Sequence, residues 1–230
     1  MDLITVQRRI AATGLALRGG FHPAAADAVP GGTRTLILVG DLGGRLWPHY
    51  QAGRRDEPDP LDAWTERVLA PAAADLDARV VYPFDGPPYH PFQQWAMRAE
   101  GLRPSPIGPL VHPEFGLWHS YRGALLFAGM IDLGPPPAPI HSCDGCADRP
   151  CLAACPVGAF GDKSFDLPAC LGHLRAAEGE DCMTGGCLAR RACPVGADRA
   201  DGPEHQAFLA NSVRATFGSC RRRSWTSGPV

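Results

Sequence analysis

Cys143-Asp-Gly-Cys146-Ala-Asp-Arg-Pro-Cys151-Leu-Ala-Ala-Cys155-Pro156 is the stretch on which the reading of this chain turns. The sequence has 230 residues and nine cysteines, and no cysteine precedes Cys143. A second, looser group follows as Cys182, Cys187 and Cys193-Pro194, with Cys170 between the groups and Cys220 after them. The segment from Cys151 to Ala159, ending Cys-Pro-Val-Gly-Ala, recurs from Cys187 to Ala197 with the same ending. A secreted disulfide scaffold is normally shorter and spreads an even count along its length. Tight clustering points to metal instead. Tetrahedral zinc also takes four cysteines, but usually from paired Cys-x2-Cys knuckles, which leave the repeated Cys-Pro unexplained. Iron–sulfur cubes fit better. A short loop containing Gly145 offers backbone N–H groups to the sulfurs.

The pattern resembles the bacterial two-cluster ferredoxins, in which three cysteines of a loop hold one cube and the fourth reaches the other. The wider second copy and the isolated cysteine in Ala169-Cys-Leu-Gly-His-Leu174 resemble the ferredoxin-like module of the epoxyqueuosine reductase family. That resemblance implies two 4Fe–4S clusters. Carried onto this chain, one would be held by Cys143, Cys146, Cys151 and Cys193. The other would be held by Cys155, Cys170, Cys182 and Cys187, leaving Cys220 over.

The remainder is an ordinary folded composition, 45% apolar and 20% charged, too apolar for a disordered chain. Lys163 is the only lysine, and the net charge of −2 argues against a general polyanion binder. No apolar run is long enough to span a membrane. Arg8-Arg9 and the short apolar run after it only faintly resemble an export signal. Leu3, Ile4, Val6, Ile10 and Leu17 predict an amphipathic first helix, and the cytoplasm is the expected compartment. Strands are predicted at 35–40, 78–84 and 122–129, and helices at 59–76, with Pro71 kinking or splitting it, and at 91–100. The Pro-rich stretch 134–139 reads as a linker. The expected domains are residues 1–134, residues 140–218 and a tail at 219–230, whose arginines 221–223 read as a solvated run.

The densest segment of the first part runs from Ser105 to Phe127. On physics alone it reads as a core strand-turn-strand, with Phe115, Trp118 and Phe127 packing, or as the wall of a ligand pocket. His112-Pro-x-Phe115-Gly116-x-Trp118, followed by Arg122-Gly, resembles the corresponding run of cobalamin-processing chaperones of the cblC type. Those chaperones, the epoxyqueuosine reductases and the reductive dehalogenases share a flavin-free nitroreductase-like fold that holds a corrinoid. The implied fold class is α+β, a nitroreductase-like corrinoid-binding domain followed by a two-cluster ferredoxin-like domain. The implied cobalamin contacts are Phe84, His112, Phe115, Gly116, Trp118 and Arg122. A flavin phosphate grip is missing, because Arg8-Arg9-Ile-Ala carries no hydroxyl.

The two resemblances together imply an oxidoreductase that reduces bound cobalamin and removes its upper ligand for B12 trafficking. Its partners would be cobalamin, an electron donor such as a ferredoxin or flavoprotein reductase, and a protein that receives the cofactor. Neither membrane nor nucleic acid is expected. An epoxyqueuosine-reductase-like tRNA modification enzyme ranks second, because those enzymes carry a C-terminal helical extension towards tRNA and this sequence ends soon after its last Cys-Pro. A plain electron-transfer ferredoxin with an added partner-binding domain ranks third.

Overall fold

The computed structural model describes residues 1–135, 138–139, 141–161 and 164–218. Cys220, the arginines 221–223, the tail as a whole, and Pro136 and Pro137 of the linker lie outside the described residues. In chain order the helices and strands are α1 (Leu3–Ala11), β1 (Ala16–Phe21), β2 (Thr35–Leu42), α2 (Leu46–Gly53), α3 (Pro60–Asp75), β3 (Arg79–Val81), α4 (Phe92–Glu100) and β4 (Arg103–Pro104). They continue with β5 (Leu110–Val111), β6 (His119–Phe127), α5 (Pro150–Ala153), α6 (Leu167–Arg175), α7 (Glu180–Thr184), α8 (Leu188–Arg191) and α9 (Pro203–Gly218).

The chain divides into two compact units, Met1–Arg103 with Trp118–His141, and Pro104–Leu117 with the chain from Ser142 onward. The Pro-rich stretch predicts a single crossing near 134–139, whereas the chain also leaves the first unit between 104 and 117. Apolar packing explains the excursion: Ile107, Val111 and Leu117 are buried with Cys151, Ala189 and Cys193.

The first unit is built on a four-stranded antiparallel sheet in the order β1-β2-β6-β3. The apolar run in β2 is buried on both faces, with Leu36, Ile37, Leu38 and Val39 fully inaccessible. Each such side chain contributes about 1.5–3 kcal/mol on burial. Helices α1 and α4 pack on β1, and α3 packs on β3 and β6. Helix α1 is capped by Asp2, which accepts from the Thr5 N–H at 2.7 Å, and it buries Val6 and Ile10. Leu17 lies on β1 and not on that helical face, because Gly14, at φ +83°, turns the chain first.

Three further expectations shift. Pro71 sits inside an unbroken α3. The strand expected over 78–84 stops at Val81, where the Asp85 carboxylate accepts from the Tyr82 N–H at 2.7 Å and starts a turn. β6 starts at His119, earlier than 122. No described helix is long and apolar enough to cross a membrane.

The second unit is a set of short helices joined by tight loops, closed by the longer α9. The sequence repeat has a backbone counterpart. Gly158 and Gly196, which end the two Cys-Pro-Val-Gly copies, both adopt left-handed φ values of +57° and +67°.

Candidate metal centre

The second unit gathers its eight described cysteines into two groups. Burial raises the Cys143 thiol, and the negative charges of Cys193, Cys151 and Cys146 raise it further. Burial also raises Cys151, with Cys193 and Cys146 adding to it and the Leu152 N–H opposing. In the other group burial pushes Cys170 up to about 11, with Cys187, Cys155 and Cys182 contributing. Cys182 is raised by burial and by Cys187 and Cys155, against the Leu188 N–H. Among these four described thiols, no perturbing cysteine comes from the opposite group.

Short helices position the sulfurs. Cys151 lies in the first turn of α5, which Pro150 opens, and Cys170 lies on α6, where Asp166 accepts from the Ala169 N–H at 2.9 Å. Cys182 is on α7, and Cys187 is the residue before α8. Backbone N–H groups do meet sulfur, as the Ala159 N–H donates to Cys155 Sγ at 3.3 Å. Gly145 is not a special turn: its φ is not positive, and a Cβ there would meet nothing within 4 Å.

Thiols this close cannot all ionise together without a compensating cation. Four thiolates in each group suit a polynuclear iron–sulfur cluster, as the repeated Cys-Pro also suggests.

Ile107, Val111 and Leu117 pack against buried Cys151 and Cys193 of the first group, with Cys143 and the second group's Cys155 partly buried beside them. Arg190 fastens this cover, its Nε and Nη2 donating to the Leu117 carbonyl at 3.0 and 2.8 Å, and it also pairs with buried Asp201 at 3.0 Å. The second group, Cys155, Cys170, Cys182 and Cys187, opens into a cavity of about 640 Å³ with apolar walls from Phe160, Leu174, Leu209 and Val213. The sequence reading missed this use of α9, although Leu209, Val213 and Phe217 recur every four residues on one helical face.

Of the six residues expected to contact cobalamin, His112, Phe115 and Gly116 belong to the second unit, and Phe84, Trp118 and Arg122 to the first. His112 Nδ1 accepts from the N–H groups of Glu114 and Phe115 at 3.1 Å each, closing its own turn. Phe115 and Trp118 are 5% and 1% exposed, and both are core. Gly116, at φ +54°, lies so close to the Val195 carbonyl that an added Cβ would sit 1.8 Å from it. Arg122 is paired with Asp62 and bonds Thr65 Oγ1 at 3.0 Å. Phe84 stacks on Tyr82 with ring centroids 5.1 Å apart.

No family model matches the sequence, and no curated protein matches it. The structure is a mixed α/β one similar to solved epoxyqueuosine reductases. The Streptococcus thermophilus protein is 13% identical, with a TM-score of 0.56 over 94% of this chain and 75% of that one. The Bacillus subtilis protein is also 13% identical, with a TM-score of 0.52 over 94% and 74%. At such identity the likeness shows the fold alone. A further epoxyqueuosine reductase, 12% identical with a TM-score of 0.49 over 87% and 69%, was solved with an epoxyqueuosine-modified tRNA stem loop. The expectation that nucleic acid is not a partner stands contradicted and is not carried forward. The net charge of −2 is a whole-chain sum and says nothing about a local surface.

Proposed function

We propose that this chain is a two-cluster iron–sulfur oxidoreductase of the epoxyqueuosine reductase kind, acting on a modified nucleoside of tRNA. In this reading Cys143, Cys146, Cys151 and Cys193 hold one 4Fe–4S cluster, and Cys155, Cys170, Cys182 and Cys187 hold the other. The single observation that carries it is the separation of eight thiols into two groups of four. The likeness in fold to epoxyqueuosine reductases supports the choice of reaction. Reduction of cobalamin for B12 trafficking is not carried forward, because the likeness in fold is to epoxyqueuosine reductases.

When bound, each cluster supplies transfer of one electron. The protein's part is to hold and shield. Ile107, Val111 and Leu117 keep water from the first group, and the Ala159 N–H supports the charge on Cys155. An epoxide that loses its oxygen as water takes up two electrons and two protons. The electrons would come from a low-potential ferredoxin or flavoprotein reductase, and the protons from solvent.

The test uses anaerobically reconstituted full chain, a low-potential chemical reductant and tRNA carrying epoxyqueuosine. Mass spectrometry of the digested nucleosides is expected to show loss of one oxygen. Unchanged nucleoside in the presence of fully reduced clusters would overturn the reading.

A further inference from the structure

His173 lies on α6, three residues after Cys170, so both side chains fall on neighbouring positions of one helical face. It lines the same apolar cavity as Cys155, Cys170, Cys182 and Cys187. Its Nε2 is buried and has no hydrogen-bond partner among the described residues. Leaving a buried polar group unmet costs about 1–3 kcal/mol, so such an atom points to an occupant that meets it. Gln206 is the other unpartnered group of the cavity, but its situation differs. Its Nε2 donates to the Asp201 carbonyl at 2.7 Å, and its Oε1 faces Gly186, where an added Cβ would lie 2.2 Å away. An acceptor oxygen has nothing to give a sulfide, whereas an imidazole N–H has.

We propose that His173 is a positioning residue for the second cluster, its Nε2–H donating to a sulfur of the cube held by Cys155, Cys170, Cys182 and Cys187. The proposal rests on the cluster reading above. Hydrogen bonds to cluster sulfur favour the more negative, reduced state and raise the potential. Ile107, Val111 and Leu117, which pack on Cys151 and Cys193 of the first group, carry no side-chain donor. His173 therefore sets the two cubes apart in potential, so that the second is reduced first.

The test is a redox titration of the reconstituted full chain by EPR, after iron and sulfide analysis. His173→Leu is expected to lower one midpoint by about 59 mV, a tenfold change in a one-electron equilibrium. The other midpoint should stay in place. His173→Gln, which keeps an N–H donor, should recover most of the shift. Both midpoints unmoved in a fully loaded His173→Leu, or Gln behaving as Leu does, would overturn the proposal. If the leucine variant fails to hold its second cluster, wild-type protein labelled with 15N-histidine decides. A weak nitrogen coupling to the reduced cube is expected, and its absence contradicts the hydrogen bond. A wild-type chain that binds no sulfide fails earlier, at the cluster reading itself.

Discussion

Arg18 and Glu100 form a buried bidentate pair, in which the guanidinium Nε and Nη2 donate to the two carboxylate oxygens at 2.8 Å each. Arg18 Nη1 also donates to the Asp41 carbonyl at 3.0 Å, and the guanidinium lies 4.5 Å from the Tyr121 ring centroid. This network ties β1, α4 and β6 together inside the first unit. Removing one partner strands the other charge, and such losses run to about 3–5 kcal/mol. Glu100→Ala is expected to destabilise the protein by that amount in denaturant unfolding, while Arg18→Met with Glu100→Leu should cost less.

The same pair sets a pH dependence. Burial pushes the Glu100 carboxyl up, but the Arg18 charge and the hydrogen bonds from Arg18, Tyr121 and Gly19 outweigh it and hold it below its ordinary value. A carboxyl lowered in the folded state contributes stability above its unfolded pKa of about 4.3, and that contribution is lost as pH falls through the folded value. Wild-type unfolding free energy should therefore drop on acidification below about pH 4. The double variant Arg18→Met, Glu100→Leu should show a shallower drop.

Much of the first unit is readable from sequence. The run from Leu36 to Val39 is buried on both faces as its continuous apolar character predicts, and Pro60 opens α3 as the rule for the first helical turn predicts. The misreadings have two causes. Leu17 and the end of β3 are set by turns, at Gly14 and at the Asp85–Tyr82 contact, that a count of apolar spacing passes over. Gly116 is set instead by the Val195 carbonyl, which is distant in sequence. His112 and Gly116 stand out in the sequence, and in the structure one caps a turn and the other makes room for the Val195 carbonyl. Cysteine spacing, by contrast, is a local signal and marks the candidate centre directly. The His173 Nε2 has no sequence signature, since its isolation depends on the cavity around it.

Trp118 separates the core reading from the cofactor reading. It is 1% exposed, and its carbonyl accepts from the Gly43 N–H at 2.7 Å. Trp118→Ala is expected to cost about 3–5 kcal/mol of stability. Cluster midpoints measured in the folded variant should stay at their wild-type values. Loss of cobalamin binding with unchanged stability would reverse this assignment.

Gly116 tests the link between the 112–116 turn and the first cysteine group. A methyl group there meets the Val195 backbone, two residues after Cys193, and requires left-handed backbone as well. Gly116→Ala is expected to cost at least about 1–3 kcal/mol by overpacking. Iron analysis should show loss from the group containing Cys193 ahead of the other.

The central claim is two cubes with crossed ligation, and iron and sulfide analysis of Cys193→Ser and Cys155→Ser beside the wild type tests it most directly. Anaerobically reconstituted wild-type protein should carry about eight iron and eight sulfide. Each variant should lose about half, with EPR showing that a different cluster survives in each. Stoichiometric zinc without sulfide, or loss of the same cluster in both variants, would contradict the account.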